Sequence, residues 1–135
     1  MSNSTAADIA TYLQTNISGL TLGLNLFVGS EPTSPANVIT IYDTGGYPPD
    51  QTLDGDLIYR HSIQIRLRNS SYAAGFAQMA LIRDTITPLV RSVINNADYL
   101  GAFLTADIIH LGQVSTNAGL CHVWTLNAEI IQEGY

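Results

Sequence analysis

The clearest alternation of apolar and polar positions in the chain lies between residues 57 and 69. Odd-numbered positions from Leu57 to Leu67 are mostly apolar, whereas even-numbered positions from Arg60 onward are polar. A repeat of two residues places alternate side chains on opposite faces of a strand. We therefore predict one long, half-buried strand over residues 57–69, with an apolar face toward the core. Its polar face consists of Arg60, Ser62, Gln64, Arg66 and Arg68.

Two other segments repeat apolar residues at steps of three and four, which indicates helices. The first helix is predicted over about residues 5–18, where Thr5 and Asp8 have the spacing of a capping box. The second is predicted over about residues 71–94, with a kink or break at Pro88. Its apolar stripe consists of Tyr72, Phe76, Met79, Ile82, Ile86, Leu89 and Val93.

The remaining segments predict strands and loops. Short β-rich runs predict strands over 24–28 and 37–43, and the polar, Gly- and Pro-rich segment 44–56 predicts a loop. The last third predicts a hairpin with its turn at 113–119, in which residue 108 pairs with 124 and residue 106 with 126. The even-numbered positions expected to face inward are Leu104, Ala106, Ile108 and His110 on one strand and His122, Trp124, Leu126, Ala128 and Ile130 on the other.

The predicted element order is α-β-β-β-α-β-β. This order is typical of an α+β fold. We expect one domain over residues 1–135, with a mostly antiparallel sheet of four to five strands and two main helices packed on one face.

The chain contains few charged residues. Of 135 residues, 5 are basic and 11 acidic, and this 12 % charged fraction is about half of the average for soluble proteins. A surface so poor in charge favours self-assembly. All the basic residues are arginines, and the net charge of −6 argues against a nucleic-acid groove. The N-terminal residues lack the basic and apolar regions of a signal peptide, and no apolar run reaches the length of a membrane span, so we expect no membrane association.

Three histidines and one cysteine are the first candidates for a metal site: His61, His110, His122 and Cys121. A zinc site of closed geometry needs three or four converging protein ligands. Cys121 and His122 are adjacent on a predicted strand, so their side chains point to opposite faces. His110 and His122 are possible neighbours across the hairpin, but no carboxylate is evident on that face. We predict no metal and no cofactor.

The sequence offers no motif for catalysis. The loop that contains Asp50, Asp54 and Asp56 is not an EF-hand, because the bidentate glutamate would fall on His61. There is no G-x-S-x-G motif, and the glycine pair 45–46 is followed by Tyr-Pro-Pro, which cannot start a phosphate-binding helix. We predict that the protein is not an enzyme.

The polar face of residues 60–68 favours a subunit interface about as much as a solvated outer face. Arginine alternates there with serine and glutamine in a chain that has few charges. We expect Arg66 and Arg68 to contact acidic groups of a neighbouring subunit, for which the acidic loop 50–56 is the natural complement.

Two runs of the sequence carry a family resemblance: LNLFVGSEPTSPANVITIYDTGGYPPD (24–50) and YRHSIQIRLRNSSYAAGFAQMALIRDTI (59–86). They combine a strand ending in Phe-Val-Gly, a Pro-x-Ser-Pro loop, a strand leading into Asp-Thr-Gly-Gly, and a long strand that runs into a helix starting at Ser-Tyr. By the order and spacing of these features the chain resembles the bacteriophage minor capsid and tail terminator family over about two-thirds of its length.

The resemblance implies a structural protein of a tailed-phage virion. It implies subunits that form a ring, commonly six-fold, that caps the tail tube and joins it to the head or neck. The implied partners are other copies of this chain, a tail tube protein and a head or neck connector protein. Assembly is expected in the cytoplasm of the bacterial host and the final place at the head–tail junction. DNA is expected to pass through a central channel without specific binding, which a negative charge favours by repulsion.

Under this resemblance the polar face of the long strand contributes to the ring interface. The loop 44–56 is expected to contact the tail tube or a neighbouring subunit. Its candidate residues are Gly45, Gly46, Tyr47, Pro48, Pro49, Asp50, Asp54 and Asp56. Two alternatives remain open, a neck or head-completion adaptor and a monomeric ligand- or peptide-binding module.

Overall fold

The structure is a computed structural model that describes residues 4–33, 35–51, 57–116 and 119–133. The longest predicted strand is confirmed, since β3 spans Leu57–Asn69 and its odd-numbered residues from Ile63 onward are buried. The elements in chain order are α1 (Thr5–Asn16), β1 (Leu26–Val28), β2 (Val38–Gln51), β3 (Leu57–Asn69), α2 (Tyr72–Ile86), β4 (Val90–Ile94), β5 (Ala97–Leu104), β6 (Ile109–Thr116) and β7 (Gly119–Glu133).

The strands form one seven-stranded sheet in the order β1-β2-β3-β7-β5-β4, and β6 pairs with β7 off this path. β1 runs parallel to β2, with Leu26 aligned to Ile39, whereas the other pairs are antiparallel. The expected mostly antiparallel sheet of four to five strands with two helices packed on one face is therefore wrong. The chain forms a seven-stranded mixed sheet that curves into a half-barrel with two helices.

The predicted second helix is too long by eight residues at its C-terminal end. α2 ends at Ile86, before Pro88, and Val90–Ile94 forms strand β4. Proline has no backbone N–H to continue the helical ladder, so the chain turns there and starts a strand instead of kinking. Asn95 and Asn96 have φ of 50° and 67°, which is typical of a two-residue hairpin turn, and they join β4 to β5.

The predicted C-terminal hairpin is also corrected. Residues 104–110 do not form one strand, because β5 ends at Leu104 and β6 begins only at Ile109. His110 aligns with Trp124, two residues from the predicted register, and most of the predicted turn belongs to β6. The inward positions of β7 from Trp124 to Ile130 are confirmed, since every second side chain there is buried.

The sheet and both helices share one hydrophobic core. Helical residues such as Ile9 and Met79 are fully buried in the same cluster as Ile63, Ile65 and Leu126 of β3 and β7. Burial of a side chain of this size contributes roughly 1.5–3 kcal/mol. The odd-numbered side chains of β3 therefore face the helices, and the even-numbered ones lie on the opposite side, which we name the outer face.

Candidate functional site

The outer face is widest around β3, which lies between β2 and β7. Its even-numbered side chains are joined by those of the neighbouring antiparallel strand β7. β7 adds two glutamates and an asparagine to a face on which β3 places three of the five arginines of the chain. The aligned pairs on the two strands are Arg60 with Ile131, Ser62 with Glu129, and Gln64 with Asn127.

One end of the outer face is covered by the segment that precedes β2. Nε of Arg66 lies 3.1 Å from Oε1 of Glu31, and Nη1 of Arg68 lies 3.5 Å from Oε2 of the same carboxylate. Arg68 also donates hydrogen bonds to the carbonyl oxygens of Pro35 (2.7 Å) and Ala36 (3.1 Å). Its side chain is only 3 % exposed. Both arginines thus contact an acidic group of their own chain.

Tyr42 lies beside this covered end and is aligned with Gln64 across the β2–β3 ladder. Burial raises the pKa of the Tyr42 hydroxyl above its ordinary value, and the carboxylate of Glu31 raises this pKa further. The nearby Arg66 guanidinium opposes the shift in pKa. Tyr42 is therefore uncharged at neutral pH.

The other end of the outer face is more exposed. Arg60 is exposed, and Ser62 and Gln64 are half-buried. The amide of Gln64 donates a hydrogen bond of 3.3 Å to Oδ1 of Asn127. Across β7, Phe103 of β5 aligns with Glu129 and is 59 % exposed. A large apolar side chain thus lies beside charged and neutral polar groups, a mixture that occurs at protein interfaces.

Two parts of this face were not identified from the sequence. Phe103 was not singled out, although the residue directly before the inward-facing Leu104 points to the opposite face of a strand, and this position was an available signal. Glu31 lies in a proline-bearing loop, and no local pattern indicates that its carboxylate reaches both Arg66 and Arg68.

The predicted loop 44–56 is largely strand in the part that is described. β2 continues to Gln51 and pairs with the first half of β3, so Tyr47 aligns with Arg60 and Asp50 with Ile58. Two register shifts, after Asp43 and after Tyr47, each accommodate one extra residue in β2. We name residues 44–51 the arm.

The glycine and proline pairs of the arm occupy these register shifts. Gly45 and Gly46 have φ of 93° and 119°, and a Cβ on Gly46 would lie 2.2 Å from the carbonyl oxygen of Arg60. Pro48 and Pro49 lie in the second shift. Proline has no backbone N–H to donate to the ladder, and this loss disturbs the strand pairing least where the ladder is already interrupted. Asp54 and Asp56 of the predicted loop lie outside the described residues.

The four candidate metal ligands are placed in three locations. Nε2 of His61 is 3.1 Å from Oε1 of Gln132, and Cys121 is buried. The expected proximity of His110 and His122 is confirmed, with ring nitrogens 3.1 Å apart. In the ranges that the structure describes, no group of three or more His, Cys, Asp or Glu side chains is placed to hold a metal ion.

An aromatic cluster surrounds this histidine pair. The ring of Tyr72 lies 5.1 Å from that of His110 and 4.9 Å from that of Trp124, and Phe76 also contacts Trp124. Tyr72 and Phe76 are about half exposed, although the helical stripe predicted them as core. The indole of Trp124 packs against Gly75, where a Cβ would lie 2.7 Å from Nε1.

The described residues form a curved mixed sheet with two helices, an outer face that combines charged and neutral polar side chains, and an arm beside it, an arrangement suited to contacts with other protein chains. A family model described as bacteriophage tail terminator protein matches residues 12–133, and the chain belongs to this family. The suspected family resemblance is thereby confirmed. The family is structural, and its members are components of the virion. No curated protein matches the chain, and no described helix is long and apolar enough to cross a membrane.

Proposed function

We propose that copies of this chain form a closed ring, six-fold by the family resemblance, that caps the tail tube and joins it to the head or neck. The observation that carries this proposal is the family match over residues 12–133. A closed ring needs a heterologous interface, in which one patch of each copy meets a different patch of the next. The outer face and the arm are two such patches.

The more exposed end of the outer face is the proposed centre of the ring interface. Arg60, Ser62 and Gln64 present polar groups there, and Phe103 adds an exposed apolar side chain. Burial of Phe103 against a neighbour would remove apolar area from water, while the polar groups would fix the register of the two copies.

Arg66 and Arg68 have different roles in the proposed interface. The side chain of Arg66 is 30 % exposed, so its guanidinium can contact a neighbour while it remains paired with Glu31. Arg68 is buried, and it holds the segment around Pro35 and Ala36 against the outer face. Arg68 thus shapes the edge of the interface from within the chain.

The arm is the proposed contact with the tail tube or with the neighbouring copy. Its described residues continue β2 beyond the core, and they comprise Gly45, Gly46, Tyr47, Pro48, Pro49, Asp50 and neighbours. Asp54 and Asp56 belong to the same proposal. Acidic groups in this segment are complementary to an arginine such as Arg60 of the next copy.

Passage of DNA through the ring would be favoured by the charge of the chain. The net charge of −6 repels phosphates, so DNA in the channel would not be held by clustered basic groups.

Native mass spectrometry of the purified chain over a range of concentrations, with negative-stain images of the same samples, tests the ring. The expected result is a closed ring of about six copies. Phe103→Asp together with Arg60→Glu should shift the distribution to monomers. Leu81→Asp is the matched control, because Leu81 is 50 % exposed but lies on α2, away from the outer face.

The outcomes separate the ring from its alternatives. A ring that survives the double substitution places the interface elsewhere. A monomer at every concentration, even with tail tube protein present, contradicts the ring and favours a monomeric binding module. A ring found attached to the head and absent from the tube indicates a neck or head-completion adaptor.

A further inference from the structure

The pair His110 and His122 lies apart from both the outer face and the arm. His110 belongs to β6 and His122 to β7, and the two side chains are diagonal neighbours across this ladder. Nε2 of His110 and Nδ1 of His122 are 3.1 Å apart. The ring of Tyr72 contacts both imidazoles edge-on, at 5.1 and 5.4 Å between ring centroids, and the ring of Trp124 lies 4.5 Å from that of His110.

The separation of the two nitrogens fits two ligands of one metal ion. Zinc binds imidazole nitrogens at about 2.0–2.1 Å, which places two tetrahedral ligands about 3.3 Å apart and two ligands at a right angle about 2.9 Å apart. The observed 3.1 Å lies between these values. The two nitrogens now point at each other along a hydrogen bond. A small tilt of each ring would point both nitrogen lone pairs at one ion between them.

The outer nitrogen of His122 also has a partner. Nε2 of His122 lies 3.4 Å from the side-chain amide of Gln113 on β6. A metal on Nδ1 requires the proton of His122 to lie on Nε2, and the amide oxygen of Gln113 can accept that proton after rotation of the amide. Such a contact to the second nitrogen fixes the tautomer and orientation of a histidine ligand.

We propose that His110 and His122 bind one first-row transition metal ion, with Zn²⁺ as the reference case and water as the remaining ligands. Imidazole nitrogens favour Zn²⁺, Cu²⁺ and Ni²⁺ over Mg²⁺ and Ca²⁺, which prefer oxygen. His110 is exposed and His122 half-buried, so the ion has access from solvent. The bound ion would link β6 to β7, which is the only ladder in which β6 takes part among the described residues.

Isothermal titration of the full chain with Zn²⁺ tests this site. The protein carries no polyhistidine tag and is first dialysed against a chelator and then against metal-free buffer. The expected result is one Zn²⁺ per chain, with affinity reduced at least tenfold in His110→Asn and in His122→Asn. The control His61→Asn should bind as the wild type does, because His61 contacts Gln132 and not the pair.

A second measurement on the unaltered chain keeps the test independent of how well the variants fold. Zn²⁺ should shift the ring-proton NMR signals of His110 and His122 and leave those of His61 in place. No binding by the wild type at millimolar Zn²⁺ overturns the proposal, as does wild-type affinity in both His110→Asn and His122→Asn. A Zn²⁺-induced shift confined to His61 also overturns it. The pair is then two hydrogen-bonded imidazoles and nothing more.

Discussion

The hydroxyl of Tyr99 on β5 donates a hydrogen bond to the carboxylate of Asp8, which lies 91 positions earlier in the first turn of α1. Both side chains are buried. The amide of Asn95, in the turn between β4 and β5, donates to the other carboxylate oxygen at 2.8 Å. The Asp8 carboxylate therefore connects the first turn of α1 to the β4–β5 hairpin. These tertiary contacts stabilise the helix in addition to its N-cap at Ser4.

Removal of the Tyr99 hydroxyl should lower the free energy of unfolding. Tyr99→Phe leaves a buried carboxylate without one of its donors, which costs about 1.5–3 kcal/mol. Tyr12→Phe is the control, since the Tyr12 hydroxyl donates to the neutral carbonyl of Thr85 at 3.2 Å and its loss should cost about 0.5–1.5 kcal/mol. Urea denaturation measures both values. Equal losses in the two variants would show that the carboxylate of Asp8 adds nothing.

Gly75 should tolerate no side chain. In Gly75→Ala the new Cβ would lie 2.7 Å from Nε1 of Trp124 and 3.2 Å from Cβ of Asn69, so the indole must move out of a packed site. Overpacking of this kind costs about 1–3 kcal/mol. Gly101→Ala is the matched control, because its Cβ would meet Phe103 at an ordinary 3.7 Å. Thermal denaturation should show a clear loss for the first variant, and a loss no larger than that of the control would contradict the packing argument.

The arm should open locally when Gly46 is replaced. Gly46→Ala would place a Cβ 2.2 Å from the backbone oxygen of Arg60, whereas Gly45→Ala meets nothing within 4 Å. Both variants carry the cost of a positive φ, about 1–2 kcal/mol, so the difference between them reports the contact with β3. In Gly46→Ala, the backbone amides of Tyr47, Asp50 and Gln51 should lose protection from hydrogen exchange, whereas those of residues 38–43 should keep it. Identical exchange in the two variants would contradict the described pairing of the arm.

The ion pair between Arg83 and Asp107 should contribute to stability only above acidic pH. The backbone amide of Ile108 lowers the pKa of the Asp107 carboxyl below its ordinary value, and the Arg83 guanidinium, 3.1 Å away, lowers it further. A carboxyl whose pKa is lower in the folded state than in the unfolded state stabilises the folded state at a pH above its unfolded pKa. That contribution is lost as the pH falls through the folded pKa.

Asp107→Asn should therefore reduce stability at neutral pH and leave stability in strong acid unchanged. Asp107 is exposed and Arg83 is partly exposed, so salt should weaken the effect. Asp84→Asn is the control, because it leaves the Arg83–Asp107 pair in place. Carboxyl NMR titration of Asp107 checks the direction of the pKa shift. A titration at or above the ordinary pKa of aspartate would contradict the account.

The sequence predicted β3 well because one physical cause produces its whole pattern. Its odd-numbered side chains lie on the core side and its even-numbered ones on the outer face, and the odd-numbered residues are buried from Ile63 onward. Prediction of α2 was wrong after Ile86, because apolar positions of β4 happen to continue the helical stripe. The hairpin turn at Asn95 and Asn96 was the missed signal, since two adjacent asparagines tolerate positive φ.

The part of the outer face that lies on the single strand β3 could be predicted from the sequence. The part that depends on how distant segments of the chain come together could not. The polar residues of β3 were identified, but their contact with Glu31 depends on where a loop crosses the sheet. The arm was predicted as a loop because Gly-Gly and Pro-Pro interrupt its pattern. Register shifts in β2 accommodate both pairs within a strand, and no local sequence pattern fixes such shifts.

Electron microscopy of tail tubes assembled with this chain, carrying a small label on the chain, tests the central proposal most directly. The account predicts a ring of label at one end of each tube, with no growth of the tube beyond it. Phe103→Asp with Arg60→Glu should leave the ends unlabelled, and Leu81→Asp should not. Label spread along the tube, or tubes that carry none of the wild-type chain, would contradict the proposal that this protein caps the tail tube as a ring.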